Sequence, residues 1–462
     1  MKTKRVFYGL LVLLMLSCNY LNQMIAPATP TPTPTFTPTL TLTPTATPEP
    51  LKPSFIPPEC ASSAPFATVV PNVEEPALPT IEPNEELSKA EQLNVFNDLA
   101  DTVRDVYVYP DFNGKDWDEI ASRYEAMIGD GLDTEAFYQA MREMIYELGD
   151  EHSFFLSPFD VEQSDAELEG EIKFVGVGIY GQTDFERGRH IVISTFAGSS
   201  ADNSGIQSHD AILKVDGIPI AENSGATLRG PECSVVVLTV QSPGEEPREV
   251  MLVRHQIEGG LDIDARLVAT TDGSRIGYIF IPTFFDETIP PQIDKALKDF
   301  GQLDGLILDV RLNGGGSSSV VNPIFERFVS GDLGEFVDRE DTRELTIESD
   351  PIANSDTVPL VVIVSRDTAS YGEIFAGVLR DQGRAKITGE TSPGNVEVLY
   401  GYNFDDGSQA WIASATFHET NSTDNWEETG IVTDLTAYAP WDMFIFETDP
   451  SIAAALTLLG HK

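Results

Sequence analysis

From Leu87 onward, apolar residues recur every three or four positions in "LSKAEQLNVFNDLADTVRDVYVYPDF" and "DTEAFYQAMREMIYELGDEHSFFLSP". That spacing lines one face of a helix and predicts a small helical domain ending near Pro158. The period then shortens. "FVGVGIYG", "RHIVISTFA", "AILKVDGIPI", "SVVVLTVQS" and "REVMLVRHQI" are short β-rich runs separated by Gly, Asn, Asp and Ser. They predict a compact β unit, a small barrel or sandwich, over about residues 170–256. Next, strand-like runs ("IGYIFIPTF", "GLILDVR", "VPLVVIV", "AKITGE") alternate with helical stretches over 287–301, 319–330 and 371–383. Such alternation predicts an α/β layer around a central, mostly parallel sheet, with ligands beyond the carboxyl ends of its strands.

The first fifty residues follow other rules. Lys2, Lys4 and Arg5 precede an apolar run, Val6 to Leu16, that is too short to span a bilayer and reads as an export signal. Ser17-Cys18 resembles a bacterial lipobox, with Met15 at the usual leucine, so Cys18 is expected to be acylated. Residues 27–50 alternate Pro with Thr. Such a chain stays extended at roughly 3 Å per residue and can hold a domain about 70 Å from an anchor. Pro-rich residues 51–84 read as more linker. The expected order is a signal over 1–18, stalk and linker over 19–86, helical domain over 87–165, β domain over 170–256, α/β core over 262–448 and a C-terminal helix or tail over 449–462. The expected location is outside the cell membrane, held to it by a lipid.

The chain's 462 residues suit two or three globular units. Asp and Glu outnumber Lys and Arg by 74 to 29, a formal charge of −45, which argues against nucleic acid as a partner because phosphates would be repelled. With Cys18 acylated, Cys60 and Cys233 remain. They could form a disulfide in an oxidising compartment, but sequence spacing leaves that open.

Three places carry candidate chemistry. "LNGGGSSS" (312–319) follows a strand, and its glycines can turn sharply and present bare N–H groups. It lacks the Gly-Lys-Ser/Thr of a nucleotide loop. "SRDTASYGEIFAG" (365–377) joins a buried strand to a helix, where Ser370-x-x-Glu373 is either a capping box or a nucleophile at a helix N-terminus. A nucleophilic serine needs a proton acceptor. Of six histidines, His152 in "GDEHSFFLSP" is set among polar residues at a helix end, and His418 in "SATFHETN" is a reserve. No His-Glu-x-x-His or paired-cysteine spacing appears, so neither metal nor other cofactor is expected.

Taken in order, "DEHSFFLSP", "FVGVGIYG…LRGP", "IGYIFIPTF", "LILDVRLNGGG", "TASYGEIFAGVLRDQGRAKITGETSPGN" and "GIVTDL" resemble the C-terminal processing, or tail-specific, serine peptidases over approximately residues 87–445. The resemblance implies that Ser370 is the nucleophile. It also implies an oxyanion hole from the N–H of Gly315 or Gly316 with that of Tyr371. Most such peptidases use a lysine base 25 residues after the serine, and here that position is Asn395, which cannot accept the proton. Lys386 lies within "RAKITGE" as a weaker alternative. The tricorn-like branch lacks the lysine and uses a histidine and a downstream glutamate. Those positions fall on His152 as base and on Glu427 of "WEETGIVTD" as its orienting partner, with Glu428 adjacent and Thr433 in place of the usual proline.

The same resemblance makes the β unit PDZ-like, binding peptide termini by strand addition along Val175, Gly176, Val177, Gly178 and Ile179. "SGIQSHDAI" replaces the usual run there. The expected function is acyl-enzyme cleavage of exported or membrane-associated proteins at unstructured C-terminal segments. The competing expectation is a catalytically inactive peptide- or ligand-binding protein of the same fold. Oligomeric state is not legible in the sequence.

Overall fold

The computed structural model describes residues 51–63, 86–150, 152–161, 174–222, 228–258 and 260–461. The expected signal, Cys18 and the Pro/Thr stalk lie outside the described residues. No described helix is long and apolar enough to cross a membrane.

Helices α1 (Lys89–Val106), α2 (Trp117–Asp130) and α3 (Thr134–Tyr146) form the helical unit. Each start is capped by a side chain. Ser88 Oγ accepts from Glu91 N while Glu91 Oε2 accepts from Ser88 N, and Asp116 and Asp133 accept from Glu119 N and Ala136 N. The next strand is β1 (Phe154–Leu156).

The β-rich unit follows: β2 (Phe174–Gly176), β3 (Ile179–Asp184), β4 (Arg189–Thr195), β5 (Ala211–Val215), β6 (Ile218–Pro219), β7 (Val235–Gln241), β8 (Arg248–Val253) and β9 (His255–Ile257). Its antiparallel sheet runs β3-β4-β5-β7-β8, with β6 on β5. A separate pair joins β2 to β9. Strand β7 alternates as the sequence does, burying Val236, Leu238 and Val240. At the sheet's edge, β3 has a strand on one side.

Residues 51–63, expected as linker, instead pack on this unit. Cys60 is disulfide-bonded to Cys233, and the Phe55 ring meets His255 edge-on at 6.5 Å. Glu59 Oε1 lies 3.2 Å from His255 Nδ1.

The remaining strands are β10 (Ala265–Val268), β11 (Ile276–Phe280), β12 (Gly305–Asp309), β13 (Gly331–Asp338), β14 (Thr342–Ile347), β15 (Leu360–Val364), β16 (Ala385–Gly389), β17 (Val398–Asn403), β18 (Gln409–Glu419) and β19 (Leu435–Thr436). Between them lie α4 (Ile289–Phe300), α5 (Ser318–Phe328), α6 (Tyr371–Asp381) and α7 (Trp426–Thr429), and α8 (Pro450–Leu459) follows. One sheet runs β10-β11-β12-β15-β16-β19, parallel throughout except for β10 against β11. Every residue of β11, β12 and β15 is buried, which is why these strands read as unbroken apolar runs. Helices α4, α5 and α6 cover one face. Helix α8 and Trp441 cover the other, together with Ile191 and Ile193 of β4. Residues 449–462, expected as a helix or tail, therefore include a core element.

A second sheet, β1-β18-β13-β14 with β17 on β18, starts in the helical unit and continues in the α/β layer. Leu99, Phe137 and Met141 share their core with Phe404, Ala410 and Ile412. The helical segment is thus built into the same body rather than standing as a separate domain.

Candidate active site

The carboxyl ends of β12 and β15 meet here. Beyond β15 the chain turns so sharply into α6 that Ser370 takes φ 52°, ψ −127°. That conformation costs a non-glycine residue about 1–3 kcal/mol. The serine hydroxyl caps nothing, so the capping-box reading fails. Glu373, fully buried, instead accepts from Gly394 N (2.9 Å) and Asn395 N (2.6 Å), while Ser370 N donates to Asn395 O (2.6 Å). Burial raises the Glu373 pKa despite those donors. The pair of contacts pins the 394–395 loop beside Ser370.

Beyond β12, buried Asn313 organises the glycine turn. Its Nδ2 donates to Ile281 O, its Oδ1 accepts from Gly315 N (2.9 Å), and its carbonyl accepts from Ala369 N (3.1 Å). Gly315 has φ 103°, and a Cβ there would lie 2.7 Å from Ser370 Cβ. Gly316 has φ 151°, and its Cβ would lie 2.1 Å from the Phe284 carbonyl carbon. Only glycine fits either place. With Gly315 N–H held by Asn313, the N–H groups of Gly316 and of Tyr371, the first residue of α6, are the ones left for an oxyanion. Arg311 anchors the turn from below, 2.6 Å from both Asp309 Oδ2 and Asp449 Oδ2.

His152 sits between α3 and β1. Asp150 Oδ1 accepts from the N–H of His152 (3.0 Å) and of Ser153 (2.9 Å), and Ser153 Oγ accepts from Ala413 N of β18 (3.0 Å). The imidazole Nδ1 lies 2.6 Å from Glu397 Oε2, a close contact bent from the ideal hydrogen-bond direction. Its Nε2 is buried and makes no hydrogen bond, so His152 and Ser370 face one cavity with no hydrogen bond joining them. Catalytic hydrogen bonds are often loose without substrate and tighten on binding.

Glu427 was expected on His152, and here the structure differs. Glu397 stands against the imidazole, and Glu427 is the carboxyl behind it. Tyr109 Oη donates to Glu397 Oε1 (2.8 Å), and Val396 N donates to Glu427 Oε2 (2.9 Å). Burial opposes the Glu397 charge, but the close imidazole of His152, then the hydrogen bonds from Glu427 and Tyr109, outweigh it and lower that pKa. Burial, then the bond to charged Glu397, pushes Glu427 up to about 9. In sequence, Glu397 was one signal short of visible: a lone charge inside the apolar run "NVEVLY". Lys386 and His418 take no part. Lys386, exposed on β16, reaches Leu458 O of α8 with its Nζ, His418 Nε2 pairs with Thr416 Oγ1, and neither lines the cavity. Glu428 is exposed.

The cavity holds about 930 Å³. Ser370, His152, Gly316, Tyr371, Asn395 and Glu397 line it together with Phe174, Val177, Gly178, Ile179 and Phe196 of the β-rich unit. Val175 and Gly176, expected to bind peptide, face partners already. They pair with Gln256 and His255, and Val175 O also accepts from Gly230 N.

Residues 275–437 match the model of peptidase family S41, and residues 88–146 match the Tricorn protease C1 domain. The chain thus carries a peptidase S41 domain and a Tricorn C1 domain. It is 29% identical over 368 residues to a carboxyl-terminal-processing protease of Synechocystis sp., covering 77% of this chain and 84% of that one. Identity to carboxy-terminal processing protease CtpB of Bacillus subtilis is 27%, over 64% of this chain and 62% of that protein. Among solved structures, a photosystem II D1 C-terminal processing protease matches with TM-score 0.53 at 26% identity, over 75% of this chain and 93% of that one. An S41 protease from Bacteroides fragilis matches in fold alone, with TM-score 0.54 at 15% identity over 78% of this chain and 97% of that one. The protein is a serine-type peptidase.

Proposed function

We propose that the peptidase works by acyl transfer with Ser370 as nucleophile and His152 as base, on unstructured C-terminal segments of exported or membrane-associated proteins. The observation that carries the reading is Ser370 itself. It is held at a strained φ with its hydroxyl released from capping, in one cavity with His152 and the Gly316–Tyr371 pair of N–H groups.

His152 Nε2 takes the Ser370 proton as Oγ attacks the scissile carbonyl, and the N–H groups of Gly316 and Tyr371 hold the oxyanion. The proton passes to the leaving amine, water enters, and the acyl-enzyme hydrolyses by the same route. Glu397, rather than Glu427, orients His152. The β-rich unit acts as a PDZ-like module. A peptide adds to the open edge of β3, beyond Val177, Gly178 and Ile179, and so runs toward Ser370 along the shared cavity. The Cys60–Cys233 disulfide favours an oxidising, extracytoplasmic location. The expected acylation of Cys18 would add the membrane tether.

A fluorophosphonate probe with mass-spectrometric mapping tests the reading. Ser370 should be labelled, Ser370→Ala should abolish cleavage of an unfolded protein substrate, and His152→Ala should lower kcat by about 10³-fold or more. Full turnover in either variant would sink it.

A further inference from the structure

Glu427 is a partly buried carboxyl beside the site that the acyl-transfer mechanism leaves without a task. Its surroundings constrain its protonation. Oε2 accepts the Val396 N–H, and its carboxyl is hydrogen-bonded to that of Glu397, whose two oxygens face His152 Nδ1 and Tyr109 Oη. Two carboxylates cannot hydrogen-bond each other, because each can only accept. One of the two must carry a proton, and Glu397, which faces the imidazole N–H and the phenol O–H, is the one whose surroundings favour charge.

We propose that Glu427 is a positioning residue that works as a neutral carboxylic acid, donating to Glu397 so that the pair presents a single negative charge to His152. The proposal rests on the reading of Ser370 and His152 as nucleophile and base.

The other ionisable groups around the pair point the same way. Tyr109 is a donor at neutral pH, since burial and then Glu397 raise its pKa. Glu373 and Asp150 add negative potential, Glu373 at Glu427 and Asp150 at Tyr109 and Tyr107. Tyr107 lies in the same field and is likewise held protonated, by burial first. Apart from His152, none of these neighbours can offer a positive charge. A second negative charge has no partner here, and the Glu427 pKa of about 9 follows from burial with that crowding. The arrangement joins both ends of the fold. Tyr109 and His152 come from the helical unit, and Glu397 and Glu427 from the α/β layer.

The sign of the pH effect follows. Below about pH 9 the proton bridges the two carboxyls and fixes Glu397 against the imidazole. Above it, two like charges separate and the orientation of His152 is lost, so kcat falls on the alkaline side. Glutamine should stand in for the acid, since its amide oxygen can accept from Val396 and its NH₂ can donate to Glu397.

The experiment is kcat and KM from pH 5 to 10.5 for the full chain and for Glu427→Gln and Glu427→Leu, with fluorophosphonate labelling at pH 7 alongside. Leucine should lower kcat by roughly 10–100-fold with KM little changed, the loss of one hydrogen bond to a charged group. Glutamine should recover about ten-fold of that loss and remove the alkaline fall near pH 9. The proposal is overturned if the parent shows no such fall, if glutamine keeps it, or if glutamine is as impaired as leucine. Should the leucine variant not fold, the glutamine profile decides alone. Absence of label on Ser370 in the parent marks failure of the underlying reading instead.

Discussion

At φ 52° Ser370 holds strain that alanine shares and glycine does not, so activity and stability can be separated at this one position. Ser370→Gly should lose cleavage and yet unfold at a higher temperature than Ser370→Ala. The expected gap is about 1 kcal/mol, read by thermal melts of both variants. Equal melting temperatures would mean the turn is unstrained. Legibility at this scale was uneven. Ser370, His152 and the glycine turn stood in contiguous motifs, whereas Glu397 acquires its task only when β17 and the helical unit meet. The Glu427 position was legible but its contact was not, because one intervening carboxyl cannot be inferred from spacing.

Among elements, those with unbroken apolar runs or strict periods were read closely. The stretches 287–301, 319–330 and 371–383 became Ile289–Phe300, Ser318–Phe328 and Tyr371–Asp381. What composition hid was docking. Trp441 stacks on His209 at 4.0 Å and on Phe280 at 5.1 Å. Arg187 meets Asp442 through two hydrogen bonds of 2.7 and 2.8 Å, and Arg189 adds a third of 2.6 Å. The Asp442 side chain is fully buried, and burial is outweighed by the two arginines, which lower its pKa. Asp442→Ala should therefore destabilise the fold by about 2–4 kcal/mol by stranding two cations. Because those arginines flank β3 and β4, it should also raise KM for long peptides more than for a short ester, as steady-state assays would reveal. Equal KM changes for both substrates would show that this contact does not align the β-rich unit with Ser370.

For the whole molecule, the described chain from residue 51 onward is tied together at its margins. Its first folded residues are fastened to the β-rich unit by Cys60–Cys233, and its last helix closes the main sheet and reaches the glycine turn through Asp449 and Arg311. Proline-rich composition masked the first, and the short apolar segment expected as a C-terminal helix or tail gave no sign of the second. Cys60→Ser should lower unfolding free energy by about 2–5 kcal/mol in denaturant titrations. Reductant should reproduce the loss in the parent and leave the variant unmoved.

The shared β1–β18 sheet has a consequence for the order in which the site is assembled. Phe154 registers with Trp411, and His152 can meet Glu397 only after more than two hundred further residues have been made. An emerging chain therefore carries Ser370 before the strand pairing that accompanies the His152–Glu397 contact can form. On the proposed mechanism, the site would stay incomplete until β18 is made.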